Sequence, residues 1–349
     1  MPYNPLSRLR RPLQSYPARI GLFAVAWFIM ITCMHYYLNS DPDQRKTIQM
    51  GYMPVITNLA APLLDYATSH KADADFRFKA IKFASFAEMA EALRNDKIQA
   101  GFIIAPLSVV LRQQGEDVKI VYIGNRHEST LVARKELNIR SFNELVGHTV
   151  AVPMRFSGHN LSMLQMMDEA GLQGQIKIVE MNPPDMASAL AAGSLDAYFV
   201  GEPFAAQTLK ANLSDLVLRV ESTWPGFICN LLLVRQAFIE KDAPAVQTLV
   251  QAAVRSGFWA RMNQSKAVEI ASHYWGQPES LVDFALTTPE NRIVFDQYIP
   301  IDKEIQKMAD LMVKFGLIKN DSIDGLIDSS FARQADISGI SSDINSILN

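Results

Sequence analysis

The chain has 349 residues, 49% of them hydrophobic and 20% charged, with a formal net charge of -3. That length suffices for two lobes with separate cores, because single hydrophobic cores stop growing at roughly 250 to 300 residues. The charge balance removes the electrostatic case for a nucleic-acid partner, which calls for a basic domain or stripe.

Taken in chain order, the first distinctive stretch is Ile20 to Leu38, IGLFAVAWFIMITCMHYYL, which has no Asp, Glu, Lys or Arg and follows Arg8, Arg10, Arg11 and Arg19. Its length is near the roughly twenty residues that cross a bilayer, and the arginines before it place the N-terminus inside and the remainder outside. No small-x-small cleavage site follows the apolar run. Cys33, after MIT, loosely resembles a lipoprotein box, with Thr32 where Gly, Ala or Ser is usual. An uncleaved anchor and a segment lipidated on Cys33 both stay open. Cys229 then has no exported partner, so no internal disulfide is expected and Cys229 reads as a small core residue.

After the polar linker 39–45, apolar runs alternate with helical stretches. The predicted strands are Thr47–Tyr52, Phe76–Phe83, Gln99–Ala105, Val118–Gly124, Ser129–Arg134, Thr149–Val152, Ile176–Met181, Ala197–Val200 and Ile228–Val234. The predicted helices between them are Leu59–Ser69, Phe86–Asn95, Ser108–Gln114, Leu161–Ala170, Asp185–Ala192 and Phe204–Asn212. This alternation predicts an α/β architecture with largely parallel sheets. From Ala243 to Gly316 the pattern turns almost wholly helical, and the Ser-rich stretch beyond Gly325 is expected to be poorly tied down.

Loops leaving strand ends and entering helices are where open α/β sheets bind ligands, because the first N–H groups of a helix are unpaired and partly positive. Six such loops stand out: MPVITN, ASF, APLS, MRFSGHN, NPPDM and GEPF. Ser85 with Glu88, and Ser141 with Glu144, have capping-box spacing and read as self-satisfied helix starts. Ser157 has Asn160 where the box wants Glu or Gln, and Arg155 precedes it, which makes the turn RFSGHN anion-friendly. Against this, Ser157 also reads as an ordinary N-cap and Arg155 as a solvated loop residue. His159 reads as a neutral surface or cleft residue. Glu202 poses a sign problem for an anion if it faces the cleft, and otherwise marks a helix start, with Pro203 at a position where a missing N–H costs nothing. The six histidines show no HxxxH, HExxH or CxxC spacing, so no metal site is expected. There is no G-x-S-x-G and no Walker loop.

The runs VPMRFSGHNLSMLQMMDEAGL and NPPDMASALAAGSLDAYFVGEPFAAQ, with the opening IQMGYMPVITNLAAPLLDYA, resemble the solute-binding proteins of ABC importers in the nitrate/sulfonate/taurine/bicarbonate family, which includes binders of thiamine-precursor pyrimidines. The resemblance spans roughly Lys46 to Gly316. It implies a two-lobe periplasmic-binding-protein-like fold of type II, with lobe one at 46–130 and 228–325, lobe two at 131–227 and a tail at 326–349. The crossings are expected near Ser129–Arg134 and Gly226–Val234. It implies ligand contacts from Met53, Pro54, Asn58, Phe86, Pro106 and Ser129, and from Arg155, Ser157, His159, Asp185 and Glu202, with Trp224 as a wall. It further implies a small, anionic solute, permease transmembrane subunits as partners, no cofactor and no catalysis. The first loop lacks the acidic residue frequent in nitrate and bicarbonate members, and ASFAEMAEAL is closer to the sulfonate type, so the solute stays open. So do a cleft enzyme on the same fold, which would use His159, Asp185 and Glu202, and a sensory ligand-binding protein.

Overall fold

A computed structural model of the chain describes residues 16–39, 45–71 and 74–349. The expected cytoplasmic basic segment lies outside the described residues up to position 15, and the expected linker lies outside them over 40–44.

The chain divides into two compact units, Met1–Arg45 and Lys46–Asn349. In the first, Tyr16–Asn39 forms one helix, α1. Its segment Tyr16–Leu38 is long and apolar enough to cross a membrane, with none of its most apolar window buried. Such a helix is compatible with a tether or with a signal segment.

The second unit is built on two five-stranded sheets. In chain order it runs β1 (Lys46–Tyr52), α2 (Ala60–Ser69), β2 (Phe76–Lys82), α3 (Phe86–Arg94), β3 (Ala100–Ile104), α4 (Ala105–Gln113), β4 (Val118–Ile123) and β5 (Ser129–Arg134). There follow β6 (Thr149–Val152), α5 (Gly158–Glu169), β7 (Lys177–Glu180), α6 (Pro183–Ala191), β8 (Ala197–Gly201), α7 (Phe204–Lys210) and β9 (Ser214–Arg219). The chain closes with β10 (Asn230–Arg235), α8 (Gln236–Met262), α9 (Gln264–Trp275), α10 (Glu279–Thr287), α11 (Asp302–Lys314) and α12 (Ser330–Arg333).

Strand order is β2-β1-β3-β10-β4 in the first sheet and β7-β6-β8-β5-β9 in the second. Each sheet is parallel except for one strand: β10 runs antiparallel to β3 and β4, and β5 antiparallel to β8 and β9. Those two are the strands that bring the chain across, β5 out of the first sheet's side after β4 and β10 back after β9. The central strands AGFII and AYFVG are buried along their whole length, as expected of strands covered on both faces. The edge strand β9, SDLVLR, is only half-buried, and its weaker alternation explains why no strand is predicted there.

The late helices cover the sheets. Trp259, Ala267 and Trp275 from α8 and α9 join Ile48, Phe102 and Leu232 in one cluster. In α11 the buried residues Ile305, Met308, Ala309 and Met312 recur at the spacing of a single helix face. They join a second cluster that runs from Ile103 and Leu231 of the first sheet to Val152 and Phe199 of the second. The α8 segment is broken at Asp242, whose carboxylate accepts the Ala245 N–H at 3.1 Å and so caps the longer second part.

The stretch after Gly325 departs from expectation, because it is anchored. Leu326, Ala332 and Ile347 are fully buried, and the Arg255 guanidinium donates to the Ser346 carbonyl at 2.7 Å and to those of Asp336 and Ser338, each at 2.7 Å. Its serines serve the turns, where Ser330 and Ser338 close onto Asp328 and Asp336. Deleting 326–349 is therefore expected to destabilise the second unit by at least about 3 kcal/mol, since it strips several core side chains at once. An unchanged urea midpoint in the truncated chain would count against this anchoring.

Candidate functional site

Where the chain crosses between sheets, the packing is polar and almost dry. Asn230 at the start of β10 donates through Nδ2 to Asn58 Oδ1 at 2.7 Å, tying the first loop to the return strand. Ser129 opens β5, and its Oγ stands 2.9 Å from His159 Nε2 and 3.1 Å from Glu128 Oε1. One hydroxyl carries one proton, so when Ser129 donates to Glu128 the His159 Nε2–H must donate to Ser129, which leaves Nδ1 bare. His159 Nδ1 has no hydrogen-bond partner, and the ring packs edge-on against Phe199 and Phe227. Burial pushes the imidazole down to about 3, so it is neutral.

Two buried carboxyls share this seam. Glu202 accepts from Thr130 Oγ1 at 2.7 Å and from the Ala206 N–H in the first turn of α7 at 2.8 Å, where a carboxylate meets the positive helix end. Arg292, on the segment after α10, donates to the Ser129 carbonyl at 2.6 Å and to Glu221 at 3.0 Å, and lies 3.6 Å from Glu202. Glu128 accepts from Ser129 and from the Glu202 N–H at 2.7 Å, with no cation bonded to it. Burial pushes it up to about 7, against smaller opposing effects of hydrogen bonds from Cys229 and Ser129. Room for that carboxyl comes from Gly201, where a Cβ would stand 2.5 Å from Glu128 Oε2. Burial, and then the charge of Glu128, raises the Cys229 thiol well above its ordinary range, so it is protonated.

Outward of the seam lies a cavity of ≈ 290 Å³ that both sheets line. Ser85, Phe86 and Ala87 enter from the N-cap and first turn of α3. Pro153 and Met154, and then Glu180 to Pro183, enter from the strand ends of β6 and β7.

The anticipated site residues divide into three groups. Phe86 lines the cavity. Met53, Pro54, Asn58, Pro106, Ser129, Ser157, His159, Glu202 and Trp224 are buried in the interior around the seam. Arg155 and Asp185 are exposed: the Arg155 guanidinium lies over its neighbour Phe156 at 4.9 Å, and Asp185 sits in the first turn of α6. The contrast drawn between serines also changes. Ser157 caps α5 through the Asn160 N–H at 3.1 Å, while Asn160 Nδ2 closes back on the Arg155 carbonyl at 2.8 Å, so Ser157 is an N-cap as Ser85 and Ser141 are. Ser141 forms the full capping box, and Ser85 accepts from the Glu88 N–H. Glu202 takes the helix-start role.

With this geometry in hand, comparison with known proteins becomes informative. The pattern of the NMT1-like family matches residues 41–274, well over half the chain. The chain belongs to the NMT1-like family. A relative in Bacillus subtilis (strain 168), named a putative aliphatic sulfonates-binding protein, is 24% identical over 323 residues, which cover 88% of this chain and 93% of the relative. Among solved structures, the ligand-binding component of an ABC-type import system from Staphylococcus aureus, with zinc bound, superposes with a TM-score of 0.75 at 20% identity, covering 84% of this chain and all (100%) of that one. The periplasmic nitrate-binding protein NrtA from Synechocystis PCC 6803 gives 0.71 at 15% identity, over 87% and 91%. The resemblance to ABC-importer solute-binding proteins is thus family membership, and the two-lobe α/β fold is that of periplasmic binding proteins.

Of the cavity lining in this NMT1-like chain, Phe86 is among the anticipated contacts, and Ser85, Met154, Asn182 and Pro183 fall in loops singled out from the sequence. Glu180 and Met181 lie where a strand is predicted. Glu128 and Arg292 were also missed. Glu128 carried a local signal, a charge immediately before a β-branched strand, whereas Arg292 in TPENRIV carried none. Among the described residues, no group of three or more His, Cys, Asp or Glu is placed to hold a metal ion.

Two expectations follow. Glu128 holds its proton more tightly folded than unfolded, so its contribution to stability is full below about pH 4.5 and is lost as pH rises through about 7. Glu128→Gln removes that loss and should gain on the order of 3 kcal/mol over wild type at pH 8, and far less at pH 5. A pH-independent difference would place the carboxyl elsewhere. Arg292→Met leaves Glu202 buried without its cation and should cost about 3 to 5 kcal/mol in equilibrium unfolding. A loss below 1 kcal/mol would show that Arg292 does not balance that carboxylate.

Proposed function

We propose that this chain is the extracytoplasmic solute-binding component of an ABC importer, tethered through the apolar segment 20–38 or through lipid on Cys33. It closes its two lobes on a small polar solute and presents the closed form to permease transmembrane subunits. The observation that carries the reading is the cavity itself, which takes walls from strand-end loops of both sheets and so exists only when the lobes are together. A ligand touching both walls favours the closed state by its differential contacts there, which is all that closure requires.

Non-catalytic binding is part of the proposal. A cleft enzyme on this fold would need a nucleophile and a base open to substrate, and Glu128, poised near neutrality, and Cys229 are both buried away from solvent. The Cys229 thiol is protonated and its sulfur stands 4.0 Å from His159 Nε2. The relatives' names supply the solute classes to try first: nitrate and aliphatic sulfonates.

The test is thermal unfolding of the detergent-solubilised full chain against nitrate, bicarbonate, sulfonates, taurine, aminopyrimidines and simple amines. A true solute at a hundredfold excess over its Kd should stabilise by about 2.7 kcal/mol. No stabilisation by any compound, together with turnover of one of them, would replace the importer reading with an enzymatic one.

A further inference from the structure

An anion held between two lobes calls for a cation or a set of unpaired N–H donors; no Lys, Arg or His lines this cavity, and each neighbouring helix start has given up at least one N–H. The helix start at α6 opens with Pro183 and Pro184, which have no N–H to offer, and the Asp185 N–H is already donated to the Asn182 carbonyl at 2.9 Å. At α5, Ser157 takes the Asn160 N–H, and the Phe227 ring presses so closely on Gly158 that a Cβ there would stand 2.7 Å from it. The α3 start spends the Glu88 N–H on Ser85 and carries the Glu88 carboxylate in its own first turn, which opposes a bound negative charge. Arg155, the cation nearest in sequence, is exposed and stacked on Phe156.

The lining points the other way. Its walls are mostly apolar, with Phe86, Met154, Met181 and Pro183 beside the polar Ser85 and Asn182, and its one charged residue is Glu180. Glu180 accepts the Arg155 N–H through Oε2 at 2.8 Å, which orients the carboxylate and leaves Oε1 to a ligand. In the buried seam the Arg292 guanidinium is already held by Glu221 and the Ser129 carbonyl.

We infer that the cavity selects a solute carrying a protonated amine or equivalent N–H donor on an apolar body, with Glu180 as the selecting group, in preference to a simple oxyanion. This rests on the solute-binding reading and sharpens it. The amine donates to Glu180 Oε1 while the body packs between Phe86 and the two methionines.

Benzylamine and benzenesulfonate carry the same ring with opposite charge, so calorimetric titration of the detergent-solubilised full chain with each, and with nitrate, isolates the sign of the site. Benzylamine is expected to bind, and Glu180→Gln to weaken it about threefold to tenfold, with the difference shrinking at high salt because Glu180 is exposed. Neither anion should bind more tightly than the amine. Tighter binding of benzenesulfonate or nitrate overturns this inference and leaves the importer reading intact. An unchanged benzylamine affinity in Glu180→Gln, or no binding of benzylamine at all, overturns it too. The importer reading itself falls only on the broader thermal screen.

Discussion

The arrangement depends on one fully buried guanidinium. Arg126 sits between β4 and β5, at the first crossing, and donates to the carbonyl of Gly226 on the second crossing at 2.7 Å and to that of Gln297 at 3.0 Å. Its two terminal nitrogens meet both oxygens of Glu304 in α11 at 2.7 and 3.0 Å, a fork-to-fork pair that fixes direction as well as charge. A charge this deep is tolerable because each of its three nitrogens has a partner and four of its five N–H donors are used. The consequence is that both crossings and the first turn of α11 are held as one piece, so the two lobes can move only about a shared, stiff belt.

Arg292 completes the belt from the other side. It reaches the Ser129 carbonyl, at the point where β5 pairs with β8 through Ser129 and Gly201. The same register sets Glu202 beside Thr130 and Glu128 beneath Gly201, so carboxyls far apart in sequence share one dry compartment. Burial raises both carboxyls; for Glu202 the charge of Arg292 is the first opposing effect, whereas for Glu128 hydrogen bonds from Cys229 and Ser129 come first, and it holds its proton up to about 7. A hydrogen bond from the Ile56 N–H to the Glu202 carbonyl, 2.8 Å long, links the first loop of one lobe to the last strand end of the other across this compartment.

The cleft outward of the belt follows a different rule. Ser157 and Ser85 each take one N–H at their helix starts, and the paired prolines of α6 offer none, so fewer donors are left for an anion here. What remains to discriminate solutes is the shape of an apolar slot and one exposed carboxylate. The fold that this chain shares with sulfonate- and nitrate-named relatives does not by itself set that chemistry, since fold and site vary independently.

Much was legible in the order of residues because it is written at short range. An uncharged apolar segment after arginines, alternation of strand and helix runs, and buried strands such as AGFII need only local periodicity to be seen. The loops at strand ends also followed, since they lie where strand runs give way to helix runs. What the order of residues could not decide was which atoms those loops turn inward. Arg155 lies over Phe156, one residue away, and Glu180 is brought to Arg155 by the pairing of β6 with β7. The Ser-rich tail looked loose by composition, yet Arg255 supplies it with a buried anchor from α8. Charge partners are chosen by strand register and by the two crossings, and only the folded chain brings Glu128, Glu202 and Arg292 within reach of one another.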